Sequence, residues 1–233
     1  MLKNTQINRI ATKIIANALG DLNEKVVYVG GSIVSFYIDD PSAEDVRPTK
    51  DIDISIEIDS LNELEELRQE LIKRGFTQSS EDDIICRFRY DQIKVDVMST
   101  KGVGWAPANP WFAPGHNNLI EIELDNIVVR CLSLPYFLAT KFTAFYGRGI
   151  KDPRTSHDFE DIVYLLNYTS DWQDQISRSN DDVKIYLIDC FRNILENAIM
   201  QEAIIANLFY EEQSHRFSKI MTQIKLICLE SIE

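Results

Sequence analysis

The 233-residue chain carries 37 Asp+Glu against 24 Lys+Arg, a formal net charge of −13. Spread evenly, that charge repels phosphate backbones and anionic lipid, which excludes a broad nucleic-acid coat and a basic membrane-surface protein. A hydrophobic fraction of 45% with 26% charged residues excludes disordered and fibrous classes, and the length suits one large domain or two modest ones.

No apolar run is long enough to span a bilayer, so no membrane association is expected. Residues 1–20 mix polar and apolar positions without the apolar stretch of a signal peptide. They predict an amphipathic helix whose buried face is Ile7, Ile10, Ile14 and Leu19. Residues 26–29 form a short apolar run that stops at Gly30-Gly31, ahead of a helix at 33–37. Residues 51–58, DIDISIEI, alternate strictly: Ile52, Ile54, Ile56 and Ile58 point one way, Asp51, Asp53, Ser55 and Glu57 the other. A helix follows, with Ser60 and Glu63 at capping-box spacing, a stripe of Leu61, Leu64, Leu67 and Leu71, and Gly75 as its stop.

Residues 84–90 and 92–98 read as two strands around Tyr90-Asp91-Gln92. Residues 101–115 form a loop rich in Gly, Pro and Trp, with His116 after it and no partner evident for that histidine. Its Trp105, Trp111 and Phe112 suit either an aromatic platform or packing on the sheet. Residues 120–124 and 127–132 form a hairpin around Asp125-Asn126. Beyond 132 the pattern is helical, with helices at 133–146, 156–168, 182–197 and 201–227. The chain therefore divides into an α/β domain, residues 1–132, and an all-α domain, residues 133–233. Cys86, Cys131, Cys190 and Cys228 lie far apart without a C-x-x-C pair, so a zinc site is not expected and a reduced cytoplasmic setting is.

Three features of the first domain belong together. Asp51 and Asp53, two apart on a strand, project from one face, and Asp96 in KVDVM joins them if the two strands are neighbours. Carboxylates so gathered repel unless a cation neutralises them, and an oxygen-only set suits Mg²⁺ or Mn²⁺. By itself the D-x-D pattern reads as the wet face of a half-exposed sheet well before it reads as a metal site. Gly30-Gly31-Ser32 ahead of a helix lets backbone N–H groups approach a phosphate closely, and Ser32 adds a hydroxyl.

The order Gly-Gly-Ser, Asp-x-Asp on a strand, then one Asp on a later strand resembles the nucleotidyltransferase superfamily that includes DNA polymerase β and the aminoglycoside nucleotidyltransferases. The segments LPYFLATKFTAFYGRG and SHDFEDIVYLL are similar to the AbiEii/AbiGii toxin group, which includes the MenT toxins. That group has a Lys in one helix and an Asp at the start of the next, and the matching positions here are Lys141 and Asp158. Two departures stand out. Residues 39–50 lengthen the spacing between Ser32 and Asp51, and Ser156-His157 stands where many relatives carry a base.

The resemblance implies a polymerase-β-like α/β domain with a mixed sheet, followed by a helical domain that completes an NTP cleft. It implies that Gly30, Gly31 and Ser32 hold the phosphates, that Asp51, Asp53 and Asp96 bind Mg²⁺ or Mn²⁺, and that Asp96 helps deprotonate the acceptor hydroxyl. Lys141 would neutralise the triphosphate, and Asp158 would orient Lys141 or contact nucleotide. The implied reaction moves NMP from an NTP to an acceptor hydroxyl with release of pyrophosphate. A tRNA 3′ end is the leading acceptor and an antitoxin protein the implied partner. The alternatives are an aminoglycoside-type antibiotic acceptor and a non-catalytic nucleotide- or partner-binding module. Charge is polarised along the chain: residues 39–70 hold 12 acids and 3 bases, residues 141–157 hold 4 bases and 1 acid. A small docked RNA end therefore remains compatible with the overall charge.

Overall fold

The computed structural model describes residues 2–82 and 84–230. Strands β1 (Val26–Val29), β2 (Asp51–Ile56), β3 (Arg87–Tyr90), β4 (Ile93–Ser99), β5 (Leu119–Leu124) and β6 (Ile127–Leu132) form one mixed sheet in the order β3-β4-β2-β1-β6-β5. β1 runs antiparallel to β2 and parallel to β6, and β2 runs parallel to β4. The two hairpins close where expected. Asp91 and Asp125 sit at φ 50° and 57°, the left-handed conformation that short acidic side chains tolerate in tight turns. On one face of β2 and β4, Ile52, Ile54, Val95 and Val97 are fully buried, so the alternation of the sequence sets which face of these strands stays open to chemistry.

The chain splits into two compact units. One comprises residues 1–36 and 44–133, the other residues 37–43 and 134–233. In the first, α1 (Lys3–Leu19) packs on β6; of the expected buried positions Leu19 is inside, but Ile7, Ile10 and Ile14 lie on the outward face. Asn8, Thr12, Ile15, Ala16 and Leu19 are buried, while Ile7, Ile10 and Ile14 are exposed. The helix lacks a local side-chain cap, and Asp45, 40 residues away, accepts from the Asn4 and Thr5 backbone N–H groups instead. That remote cap satisfies the first N–H groups of α1, and the buried face carries polar Asn8 and Thr12, which breaks the apolar periodicity. Helix α2 (Leu61–Lys73) starts as expected, with Ser60 accepting from the Glu63 N–H, although Leu61 at the edge of its stripe is exposed. The segment after Gly30 is a 3-10 helix (Gly31–Tyr37), too short and tight for the helix dipole to contribute much. The loop after β4 contains one short turn, α3 (Phe112–Gly115), and Trp105 packs on Phe88 at 5.8 Å between ring centroids, which favours packing over an open platform.

In the second unit, α4 (Leu134–Ala144) is the central helix: every residue from Leu134 to Phe142 is buried. It continues as a π-helical turn (Phe145–Gly149) and packs against α5 (His157–Tyr168), α6 (Trp172–Ser177) and α7 (Asp181–Glu196). Aromatic contacts bind this core. Phe142 meets Phe191 edge-on at 5.7 Å, and Phe191 meets Trp172 at 5.4 Å. The single helix expected at 201–227 is two, α8 (Ala198–Ala206) and α9 (Gln213–Glu230), and α6 is an additional helix between the expected ones. Residues 37–43 join this unit through Tyr37 stacked on Phe137 at 4.7 Å and through the Asp39 and Asp40 N–H groups, which donate to the Tyr168 carbonyl. The lengthened stretch 39–50 is thus divided between the two units.

Candidate active site

β1 and β2 bring the motif residues of the sheet unit together. Val29 lies opposite Asp53 across the antiparallel pair, so the chain leaving β1 at Gly30 passes directly over the Asp53 carboxylate. Gly30 adopts φ +77°, and a Cβ there would fall 1.8 Å from Asp53 Oδ2 and 2.7 Å from Asp53 Cβ. Both the backbone conformation and the close approach require glycine. At Gly31 a Cβ would fall 2.4 Å from Nη2 of Arg47, so the absent side chain makes room for a guanidinium. Next to them Ser32 is fully buried, and its Oγ has no hydrogen-bond partner among the described residues. A buried hydroxyl without a partner is costly, and it is the kind of donor a bound ligand satisfies.

β4 supplies the third carboxylate. In the parallel β2–β4 register Asp53 lies opposite Asp96, and Asp51 is two residues before Asp53 on the same face. Arg87 on β3 lies opposite Asp96 on its other side. Its Nε donates to Asp96 Oδ1 at 2.7 Å, and its Nη2 donates to Asp96 Oδ2 at 2.7 Å and to Asp51 Oδ2 at 2.9 Å. The Asp96 carboxylate holds the Arg87 guanidinium proton more firmly than usual. Asp51 also accepts from the Thr49 hydroxyl at 3.3 Å.

Three carboxylates therefore share a face, as the sequence pattern anticipates. Among the described residues, however, no three such groups approach one point closely enough to hold a metal ion as they stand, and Arg87 bridges two of them. The donor set is all oxygen, which fits a hard dication. The unpartnered Ser32 hydroxyl and the glycine cradle beside Asp53 fit a phosphate-bearing ligand at the same place. The sequence reading missed Arg87 and Arg47. Arg87 carries the alternation signal, since it faces with Asp96 in the hairpin register. Arg47 carries none, since it stands in an irregular stretch.

His116 has a partner on the same strand face: its Nε2 lies 3.1 Å from Ser55 Oγ. Burial of the ring pushes its pKa below the ordinary value, opposed by the charge of Glu57. Cys86 lies close enough to be affected by this face. Burial, then the charges of Asp96 and Asp53, push its thiol up to about 11, so it is not a nucleophile at neutral pH.

In the helical unit, Lys141 is 5% exposed and sits in a cluster of charges. Its Nζ lies 2.7 Å from Asp161 Oδ2 and 3.8 Å from Asp158 Oδ1. Asp158 is held more tightly by Arg148, whose Nε and Nη2 donate to its two oxygens at 2.7 and 2.9 Å. Asp158 stands in the first turn of α5, which Ser156 caps by accepting from the Phe159 N–H. The nearer partner of Lys141 is thus Asp161. Two bases and two acids make the cluster neutral.

The family model for the nucleotidyl transferase AbiEii toxin of a Type IV toxin–antitoxin system matches residues 14–224. No curated protein matches the chain. Among solved structures, an antigenic nucleotidyltransferase-like protein from Paracoccidioides brasiliensis is similar. The TM-score is 0.52 and the identity 14%, over 89% of this chain and 96% of that one. At that identity the likeness is one of fold. No helix among the described residues is long and apolar enough to cross a membrane.

Proposed function

The chain belongs to the AbiEii nucleotidyltransferase toxin family, and from that premise we propose that it transfers NMP from an NTP to the 3′ end of a tRNA. The observation that carries this reading is the contact between Gly30 and Asp53, which joins the glycine turn to the carboxylate row. In this reading Gly30 and Gly31 present backbone to the β- and γ-phosphates, and Ser32 donates its buried hydroxyl to them. Asp51, Asp53 and Asp96 are the residues that would hold Mg²⁺ or Mn²⁺. Such an ion, when bound, neutralises charge at the reacting phosphate and lowers the pKa of a coordinated hydroxyl. Asp96 accepts the proton of the acceptor hydroxyl, which attacks the α-phosphate as pyrophosphate leaves. The family resemblance also gives Lys141 and Asp158 of the helical unit a part in handling the nucleotide. The toxin–antitoxin class supports an antitoxin as the partner.

Each radiolabelled NTP incubated with total tRNA, and separately with a panel of aminoglycosides, tests the proposal. Label in tRNA is expected, and it should fall to background in Asp51→Ala and Asp53→Ala. Label in the drug alone moves the acceptor to a cationic small molecule. Label in neither overturns catalysis. Wild-type activity in either variant overturns the carboxylate assignment.

A further inference from the structure

The Arg87 side chain bridges two of the three proposed ligand carboxylates, Asp51 and Asp96. It makes three charge-assisted bonds there, and its own side chain is 11% exposed against 10% for Asp96 and 29% for Asp51. In so enclosed a place a guanidinium and a dication on the same carboxylates repel strongly. The two ends of the arrangement are unequal. Asp96 is gripped through both oxygens, whereas Asp51 is held by a single bond from the Nη2 that already serves Asp96. β3 is the edge strand of the sheet, so Arg87 can withdraw from Asp51 without opening the core.

We infer that Arg87 is the resident counter-ion of the carboxylate row: its single charge offsets part of the charge on Asp51 and Asp96 in the metal-free protein, and it competes with the divalent cation for Asp51. Arg87 is a positioning residue in this scheme, and it sets how tightly the site takes its metal. The inference rests on the reading of Asp51, Asp53 and Asp96 as ligands of a dication. Lysine cannot reproduce it, because a single ammonium lacks the planar fork that reaches two carboxylates at once.

The test is Mn²⁺ titration of the full chain, followed by the loss of the free-ion EPR signal, in wild type, Arg87→Met and Arg87→Lys. Removing the competing charge is expected to tighten Mn²⁺ binding by about tenfold or more in Arg87→Met, a change of the size that residues behind metal ligands exert. Arg87→Lys should fall between that variant and wild type. Melting in EDTA gives a second readout. Arg87→Met should melt below wild type, from carboxylate repulsion, and gain more than wild type from saturating Mn²⁺. A merely structural arginine would lower both melting points equally. If wild type binds Mn²⁺ and both variants bind it no more tightly, the inference is overturned while the metal reading stands. If neither wild type nor the variants bind Mn²⁺, the metal reading itself is overturned, and this inference with it.

Discussion

Lys141 shows what a buried charge demands of its neighbours. Its ammonium sits among Asp161, Asp158 and, through Asp158, Arg148, all within one helical unit. Removing the lysine leaves Asp161 buried without its 2.7 Å partner. Lys141→Met is therefore expected to lower unfolding free energy by about 3–5 kcal/mol, read from urea denaturation. Lys141→Met with Asp161→Leu should recover much of that loss, because the buried carboxylate that faced the lysine is removed with it. A full loss in the double variant would show that the pair's neighbours, not the pair, need the lysine. An activity loss in Lys141→Met alone thus cannot be assigned to chemistry until the double variant is measured. His116 has a different dependence. Burial lowers its pKa from the ordinary 6.5, so the folded state prefers the neutral ring beside Ser55. Its contribution to stability is complete above pH 6.5 and is lost as pH falls through the lowered folded value. Melting points between pH 7.5 and 5.0 should fall more in wild type than in His116→Gln, about those limits of the histidine range. Parallel curves would place the acid sensitivity elsewhere.

The elements differ in how far they could be read from sequence. β2 and β4 were legible because one face must be apolar: Ile52, Ile54, Val95 and Val97 fix which side Asp51, Asp53 and Asp96 take. The hairpin turns were legible because Asp91 and Asp125 can adopt positive φ. The buried face of α1 is not legible because two of its members, Asn8 and Thr12, are polar, while the apolar Ile7, Ile10 and Ile14 face outward. α8 and α9 read as one helix in the sequence because their apolar pattern runs on through the residues where the chain turns. The site was half legible for the same reason: its acids repeat with the strand, whereas Arg47 lies in irregular chain. The turn after β1 gives the sharpest test at this scale. Gly30→Ala adds strain of about 1–3 kcal/mol from the positive φ and also drives a Cβ into Asp53. Gly75→Ala, at φ +91°, adds comparable strain but meets only Tyr90 at 3.6 Å. Both variants should melt lower, and only Gly30→Ala should lose nucleotidyl transfer. Equal loss of activity in the two would reduce the role of Gly30 to folding.

At the scale of the whole molecule, the proposed tRNA acceptor raises the question of how a chain of net charge −13 would meet an RNA. The sequence points to residues 141–157, with 4 bases and 1 acid, as the basic counterweight. The structure draws much of that charge inward or pairs it. Lys141 is buried against Asp161, Arg148 grips Asp158, and Arg154 lies 3.5 Å from Asp152. Three of the four bases already have a carboxylate within 4 Å, so the segment's charge is partly offset, although the Arg148 and Arg154 side chains stay 74% and 58% exposed. In the proposed reading an RNA acceptor is then held mainly by its end, at the reacting hydroxyl, with few released counterions. The dependence of log(kcat/KM) for tRNA on log salt should accordingly have a slope no steeper than about −2, the value for some three phosphate contacts on a single strand. The slope for a short 3′-terminal oligonucleotide should match it. A tRNA slope of about −5 or steeper would mean that some seven phosphates are neutralised. That would require a basic surface outside residues 141–157, and it would overturn docking by the end alone.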